Sequence, residues 1–388
     1  MIRFKDGAAL TVCATLALLW GCSQGSTVPS APAGDTSQLL QSAAARERIE
    51  PVDTTSILKN LNTDVVIGST VDPSNGDKGP HSLSIVKGNY GLKKGQLVVC
   101  NFADSSGTAG NGTTIEVLNP QPSSNPARFA QSNDIKGCSG TATSYANQVY
   151  ATGLTSGLVV WFDQTGKEQT TYSNLFKAPF SIADIGGGGT YASEFMFNSD
   201  AQTGSIVSIG TSGYGSGFYQ QVATGFAVGN ASQTGWNTVG PSGLAYDHKK
   251  DILYIADGVN NTIVRFSNAT ALLVKNEIVV LPGGTKFKCV HKKTTCGKLV
   301  LSGSPLNVPV AMTTLPNGNL IVANTQPASG GGNELVELTP TGQILDTKVV
   351  DTGATPAVFG LASSGTKDSN TVLFYTDTND NSVHELEH

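Results

Sequence analysis

Two segments that lie far apart in the chain align without a gap, and each has the pattern of a β-hairpin. In residues 253–266 a strand-like run ends at Asp257, a polar turn with two asparagines follows, and a second strand-like run begins. Residues 373–386 repeat this arrangement around Asp377. Hairpins that recur along a chain are typical of architectures in which each unit buries its faces against the next unit. The repeat therefore predicts an all-β chain with many turns.

A further strand, which begins after a proline, is predicted upstream of both hairpins, in 240–247 and 356–362. The order proline, Gly-Leu-Ala, a strand ending in Asp, paired asparagines and Ile-x-x-Phe resembles the NHL repeat of β-propellers. Weaker copies are found further upstream and between the two hairpins. Their second strands, with those of the two hairpins, begin near residues 97, 149, 195, 253, 320 and 373.

The resemblance implies an all-β fold, a six-bladed β-propeller of four-stranded antiparallel blades over residues 51–388. Closing such a ring buries the faces that a lone blade would expose. The last repeat ends after its third strand, near Leu386. We expect the N-terminal segment, from Ile57 to Gly68, to supply the missing outer strand.

The N-terminus reads as an export signal. In residues 1–22 two basic residues precede an apolar stretch that is too short for a permanent membrane span. The end of this stretch, Leu-Trp-Gly-Cys22, resembles the lipobox of bacterial lipoproteins, which implies a lipid on Cys22; an ordinary secretory signal with a spare cysteine is the alternative. Ser23 resembles an outer-membrane sorting signal. Residues 23–50 read as a flexible tether, with helix-forming residues over 38–50. The expected location is the bacterial cell envelope, lipid-anchored at the outer membrane.

Charged residues make up only 14% of the chain, and its net charge is −5. Such a chain has no long-range attraction for nucleic acid or anionic lipid, so a membrane contact is expected through the lipid anchor only. The expected partners are an envelope protein, a polysaccharide or a small ligand.

Four cysteines remain after Cys13 in the signal and Cys22 are set aside. An even number in an exported chain favours two disulfides, for which three pairings exist. We favour Cys289 with Cys296, because six intervening residues suit a tight hairpin, and this leaves Cys100 with Cys138. A zinc site is the rival interpretation, but the chain contains no Cys-x-x-Cys.

The longest insertion, residues 283–306, surrounds the Cys289–Cys296 hairpin and is expected to join blades four and five. A local basic cluster in this acidic chain consists of Lys286, Lys288, Lys292, Lys293 and Lys298. It is either a solvated loop or a contact for an anionic partner.

In propellers the turns between second and third strands share one face, here called the top face, with the connections between blades. Related propeller enzymes hold metal or substrate on this face. The residues expected there are His81, Phe180, Ser242 and Val310 at the starts of first strands, and Asn101, Asn198, Asp257, Asn324 and Asp377 at the ends of second strands. Asp257, Asn324 and Asp377 are expected to face a common funnel, unless the two carboxylates only cap their turns.

One match to a catalytic motif does not lie in the secondary structure that the motif needs. The segment from His384 to His388 matches His-Glu-x-x-His, but it falls on a predicted strand, where the two histidines would lie roughly 13 Å apart. The resemblance extends to lactonases, which use a divalent ion, and to streptogramin lyases, which need several histidines. Only His81 is expected at the rim, which makes a multi-histidine site improbable.

We therefore expect a propeller that binds a partner or ligand through its top face without catalysis and without a cofactor. The alternative is a divalent-metal-dependent hydrolase or lyase of the lactonase or streptogramin-lyase type, with Ca²⁺ or another divalent ion held by carboxylates and amides on the same face. A purely structural envelope protein is the third interpretation. The fold alone does not separate them.

Overall fold

The structure, a computed structural model, describes residues 52–184, 195–211, 217–229, 240–325, 333–353 and 355–388. The expected signal (1–22) and tether (23–50), including Cys22 and the helix-forming residues 38–50, lie outside the described residues. All described residues belong to one compact unit. No helix in the described ranges has the length and apolar character needed to cross a membrane.

The first strand of the chain, β1 (Thr63–Ser69), belongs to the last blade. Blades one to three each contribute four consecutive antiparallel strands. These are β2 (Lys78–Ile85), β3 (Leu97–Ala103), β4 (Thr114–Leu118), β5 (Ala127–Gln131), β6 (Cys138–Thr143), β7 (Val149–Gly153), β8 (Leu158–Phe162), β9 (Glu168–Tyr172), β10 (Pro179–Asp184), β11 (Phe195–Asp200), β12 (Ser205–Gly210) and β13 (Tyr219–Thr224).

Blades four to six complete the ring, and two short extra strands, β17 and β18, extend the sheet of blade three. The strands are β14 (Pro241–Asp247), β15 (Ile252–Asp257), β16 (Thr262–Ser267), β17 (Ile278–Val280), β18 (Phe287–Cys289), β19 (Gly297–Ser302), β20 (Pro309–Thr314), β21 (Leu320–Asn324), β22 (Asn333–Leu338), β23 (Ile344–Asp351), β24 (Leu361–Ser364), β25 (Val372–Asp377) and β26 (Ser382–Glu387). Short 3-10 helices cover Leu58–Asn60, Asn133–Ile135, Ala269–Ala271 and Asp368–Asn370.

The six-bladed propeller expected from the repeat is confirmed. The second strands begin within one residue of the expected positions. They form nearly continuous apolar runs that are buried along their length, as strands packed on both faces require.

The ring closes as expected, by strand exchange. β1 pairs antiparallel with β26, so that Thr63 lies opposite Glu387 and Ser69 lies opposite Ser382. Ahead of β1, the side chains of Ile57, Leu58 and Leu61 are buried in the core between blades five and six. Six such apolar clusters, one between each pair of neighbouring blades, make up the core of the described ring.

Candidate functional site

The first strand of a blade begins beside the end of its second strand, and this places most of the expected top-face residues at one level. The paired positions are Pro80 with Asn101, Pro179 with Asp200, Pro241 with Asp257, and Pro309 with Asn324. The residues that follow these prolines surround the propeller axis. The structure therefore brings His81, Phe180 and Val310 together, although they come from blades one, three and five.

An apolar plug fills the axis at this level. The His81 ring stacks on Phe359, with centroids 4.3 Å apart, and it contacts Phe102 at 4.6 Å and Phe180 at 5.1 Å. All four side chains are buried, and Val310 packs in the same cluster. The axis is therefore closed near the top face by packed rings, where the sequence predicted the rim of an open funnel.

His81 is a neutral part of this plug. Burial lowers the pKa of His81 to about 4, so the imidazole is uncharged at neutral pH. Its Nδ1 lies 3.0 Å from the backbone oxygen of Ser139 in blade two and, in the neutral ring, donates to it. The ring thereby links two blades.

Serine hydroxyls continue these links around the axis. Ser139 Oγ donates to the Pro179 carbonyl (2.9 Å), and Ser199 Oγ donates to the Ser242 carbonyl (2.6 Å). Ser242 Oγ in turn donates to the Pro309 carbonyl (2.8 Å). Ser242 thus connects blades four and five.

Below the plug the axis widens into a cavity of about 50 Å³, which is room for a few water molecules.

The two strand-end aspartates cap turns between second and third strands. Asp257 is fully buried, and one of its carboxylate oxygens accepts from the amides of Val259 (3.0 Å) and Asn260 (3.1 Å). Asp377 accepts from the Asn379 amide at 2.7 Å. Burial raises the pKa of both carboxyl groups, and these hydrogen bonds act in the opposite direction. Their geometry is that of Asx turns.

Two strand-end asparagines hold the chain that enters their own blades. The Asn324 side chain accepts from the Asn307 amide (3.0 Å) and donates to the Pro305 carbonyl (2.8 Å). The side chain of Asn101 donates to the Thr70 carbonyl at 2.8 Å. Both residues are fully buried. These side-chain amides therefore hold the segments that connect successive blades against the strand ends.

In blade three the strand end was placed two residues too early. β11 continues past Asn198 to Asp200, which occupies the position equivalent to Asp257. The Asp200 carboxylate accepts from the amides of Lys177 (2.6 Å) and Ala178 (3.0 Å). The amide of Asn198 is buried within the blade, and neither of its polar atoms has a hydrogen-bond partner in the described structure.

One group of residues has the composition of a metal site: Asp377, Asp380 and His384 offer ligand atoms within 4.8 Å of one another. His384, however, uses both ring nitrogens, with Nε2 2.9 Å from Asp380 and Nδ1 3.1 Å from Asp64. Although burial alone would lower it, these two carboxylates raise the pKa of His384 to about 9. The imidazole is then a cation at neutral pH and has no lone pair for a metal. Its segment is the strand β26, as expected.

The basic insertion does not join blades four and five. Residues 268–296 lie between the third and fourth strands of blade four, and β17 pairs with β13 of blade three. Only the β17–β18 turn reaches the top-face turn of blade four, where a Cβ on Gly284 would lie 3.1 Å from Asn260. All five lysines of the predicted basic cluster are exposed: Lys286, Lys288, Lys292, Lys293 and Lys298.

Both favoured disulfides are present. Cys289 is joined to Cys296 within the insertion, and Cys100 is joined to Cys138. The second disulfide is buried and connects β3 of blade one to the first residue of β6 in blade two. It lies in the core between these blades.

Sequence reasoning missed Phe102 and Phe359, which complete the plug. Phe102 directly follows the strand-end residue Asn101, and Phe359 lies three residues after Pro356. An aromatic residue beside a strand-end or strand-start position was the available signal.

No protein-family model matches this chain, and no curated protein does. Among solved structures, it is similar to a gluconolactonase from Xanthomonas campestris, with 11% identity, a TM-score of 0.51, and coverage of 87% of this chain and 98% of the other. A virginiamycin B lyase from Staphylococcus aureus shows 15% identity, a TM-score of 0.46, and coverage of 84% and 87%. At these identities the likeness shows the propeller fold alone.

Proposed function

We propose that this protein is a non-catalytic binding propeller that engages its partner or ligand through the loops of the top face. The observation that carries this proposal is the plug of His81, Phe102, Phe180 and Phe359, which fills the axis where a propeller enzyme would need an open site. The carboxylates around it already accept hydrogen bonds from turn amides. A partner therefore meets the loops above the plug.

The chemistry of these loops favours a polar partner of low charge. The turn between β3 and β4, residues 104–113, has the sequence DSSGTAGNGT, and the turn between β11 and β12, residues 201–204, is AQTG. Hydroxyl and amide side chains dominate both turns, and they suit hydrogen bonding to a polysaccharide or to a polar protein surface. Lys286, the member of the basic cluster that lies in the β17–β18 turn, adds a contact for an anionic group of the partner at this face.

We also propose that Cys22 carries the lipid anchor and that the protein belongs to the bacterial outer membrane. The segment after the tether lies on the face opposite the top: the Thr55 carbonyl accepts from Asn319, beside the turn between β20 and β21. The described chain therefore enters the propeller on its bottom side, away from the top-face loops. Cys22→Ser should release the protein into the soluble envelope fraction, and a membrane-bound variant would contradict the anchor.

Site-specific photo-cross-linking in the native cells tests the top-face proposal. A photoreactive amino acid at Ser106 or Gln202, both exposed on the top face, should give a discrete adduct. The matched controls are Thr165 and Lys250, exposed in turns of the bottom face. Adducts from the control positions alone, or none from the top positions, would contradict the proposal.

A metal-dependent hydrolase or lyase is the second candidate, supported by the grouping of Asp377, Asp380 and His384. The residues at the axis do not fit such a metal. His81 is buried among aromatic rings, and Asp257 and Asp377 face their own turns. The second candidate therefore requires a metal to displace the proton from His384.

A further inference from the structure

The bottom face of blade four carries a group of exposed lysines that the proposed top-face contact does not use. They belong to the turn between β14 and β15, to the residues just before β17, and to the residues in and after the Cys289–Cys296 loop. This group, the bottom lysine patch, consists of Lys249, Lys250, Lys275, Lys292, Lys293 and Lys298. All of them are exposed.

Hydrogen bonds hold the segments of the bottom lysine patch together at one end of the blade. The Ala269 amide donates to the Asp251 carbonyl (3.0 Å), which joins the residues after β16 to the turn between β14 and β15. The side chain of Asn268 donates to the Thr294 carbonyl, inside the loop that the disulfide closes. The lysines therefore project from a connected surface at the end of the blade.

The acidic side chains among these lysines already have hydrogen-bond partners. Glu277 is 1% exposed, and its carboxylate accepts from Thr295 Oγ1. The Asp251 carboxylate accepts from the Tyr246 hydroxyl at 2.8 Å, and Asp247 accepts from amides of its own turn. Within the ranges that the structure describes, no lysine of the patch forms an ion pair. Their charges are therefore available to an anionic partner.

Apolar side chains are exposed next to these lysines. Val290, inside the disulfide loop, is 59% exposed, and Leu273 and Val274 are 45% and 41% exposed. Val290 lies two residues before Lys292, and Val274 directly precedes Lys275. A soluble anion gains nothing from exposed valine and leucine side chains. At a bilayer such side chains insert among the headgroups while neighbouring lysines contact lipid phosphates.

A second basic turn lies on the same face across the axis. The turn between β2 and β3 of blade one, residues 86–96, contains Lys87, Lys93 and Lys94 and no acidic residue. Tyr90 in this turn is 65% exposed. Blades one and four lie opposite each other in the ring of six. Two separated basic contacts on one face suit a flat anionic surface better than a small ligand or a narrow polymer.

We propose that the bottom face docks on an anionic lipid bilayer. The bottom lysine patch would contact lipid phosphates, Val290 would insert among the headgroups, and the turn between β2 and β3 would form the second contact. The net charge of −5 does not prevent this docking, because salt screens charges that lie more than about 8 Å away. The contact adds to the proposed lipid anchor and lies on the face opposite Ser106. Membrane docking can therefore fail while cross-linking from Ser106 succeeds, and the reverse also holds.

Vesicle co-sedimentation of the full chain with Cys22→Ser, which removes the site of the proposed lipid, tests this contact. The protein should bind phosphatidylcholine vesicles that contain phosphatidylglycerol, should dissociate at high salt, and should not bind vesicles of phosphatidylcholine alone. The double variant Lys292→Gln/Lys293→Gln should bind about thirtyfold more weakly. The matched control, Lys177→Gln/Lys286→Gln, removes the same charge from exposed positions toward the top face and should bind unchanged.

Val290→Ser separates a bilayer from a soluble polyanion. It should weaken vesicle binding about fivefold, because an apolar group that inserts is lost. Binding to dextran sulfate depends on charge alone and should not change. Val349→Ser is the matched control, because Val349 is 51% exposed on β23 of blade five, and it should bind vesicles as the parent does.

Thermal melts identify any variant that fails to fold, and if a lysine variant does so, Val290→Ser decides alone. Equal binding to vesicles of phosphatidylcholine alone, or an equal loss in the two lysine variants, would overturn the proposal. Unchanged vesicle binding in Val290→Ser would also overturn it. Binding to dextran sulfate without binding to vesicles would overturn it in favour of an anionic polysaccharide.

Discussion

In two neighbouring blades, one buried carboxylate accepts the backbone hydrogen bonds that fix the local conformation at the top face. Asp257 and Asp200 occupy equivalent strand ends in neighbouring blades, and each accepts several backbone amides. A buried amide without an acceptor is costly, so a short acceptor side chain at this position fixes the turn that follows. An Asp therefore recurs at the end of the second strand because the turn that follows needs a hydrogen-bond acceptor at this position.

Asp257→Ala should therefore destabilise the protein. The variant leaves the amides of Val259 and Asn260 and the side chain of Asn260 without their acceptor. We expect a loss of about 2 kcal/mol in the free energy of unfolding, with cross-linking from Ser106 unchanged. Urea unfolding measures the loss, and Asp257→Asn, which keeps one acceptor oxygen, should lose less. An unchanged stability with a lost cross-link would show that Asp257 contacts the partner.

Glu116 makes stability depend on pH. Both of its carboxyl oxygens are buried without a hydrogen-bond partner in the described structure. Burial, with the nearby Asp72 carboxylate acting in the same direction, raises the pKa of Glu116 to about 9. Between its ordinary value of 4.5 and about 9 the folded protein holds a proton that the unfolded chain has lost. Its contribution to stability is therefore complete below pH 4.5 and falls as the pH rises through this window.

Glu116→Gln should remove this pH dependence. We expect the variant to gain about 4 kcal/mol in the free energy of unfolding relative to the wild type between pH 5 and pH 8, measured by urea unfolding at both values. His384, whose pKa is also raised, adds a fall in stability in both proteins, so the difference between them isolates Glu116. Parallel curves for the two proteins would contradict the assignment.

Individual strands and segments show where sequence patterns are sufficient and where they are not. The hairpin β25–β26 and the exchanged strand β1 were predictable, because their alternation and turn residues are local. The three-residue strands β17 and β18 were not. β17 is held by parallel pairing with β13, about fifty-five residues earlier in the chain, and β18 is held by antiparallel pairing with β17. No local pattern encodes the contact with β13.

Glu337 in β22 binds the segment that precedes the closing strand β1. Its buried carboxylate accepts from Ser56 Oγ (2.7 Å) and the Leu58 amide (2.8 Å), which secures the segment ahead of β1. Glu337→Ala should lower the free energy of unfolding by about 3 kcal/mol. It should also open residues 52–62 to proteases. Asp346→Asn, directly opposite on β23, is the control. Equal protease resistance in both variants would contradict the role of Glu337.

The two disulfides should differ in their effect on stability. They close loops of different length, since the sequence separation is 38 for Cys100 and Cys138 and 7 for Cys289 and Cys296. Loop-closure entropy gives about 4 kcal/mol for the first and about 2.5 kcal/mol for the second. Double Cys→Ser variants, compared by urea unfolding, measure both values. A larger loss for the Cys289–Cys296 pair would contradict this order.

Across the whole molecule, the repeat was enough to count the blades but not to describe the axis. Blade two begins with a cysteine, blades three, four and five begin with a proline, and every blade buries its second strand, which is a pattern within one segment. The plug needs His81, Phe180 and Phe359 from blades one, three and six to meet on the axis. No single repeat contains that information, so the sequence predicted a polar funnel where the structure places packed rings.

The metal content of the purified full chain tests most directly whether this propeller binds without catalysis. The protein is equilibrated with Ca²⁺, Mg²⁺, Mn²⁺ and Zn²⁺ and washed, and bound metal is measured by mass spectrometry. We expect no ion to be retained at a stoichiometric level, because His384 is a cation held by Asp64 and Asp380, and the axis is filled by the plug. One tightly bound ion per chain that is lost in Asp377→Asn would contradict the account and favour a metal-dependent enzyme.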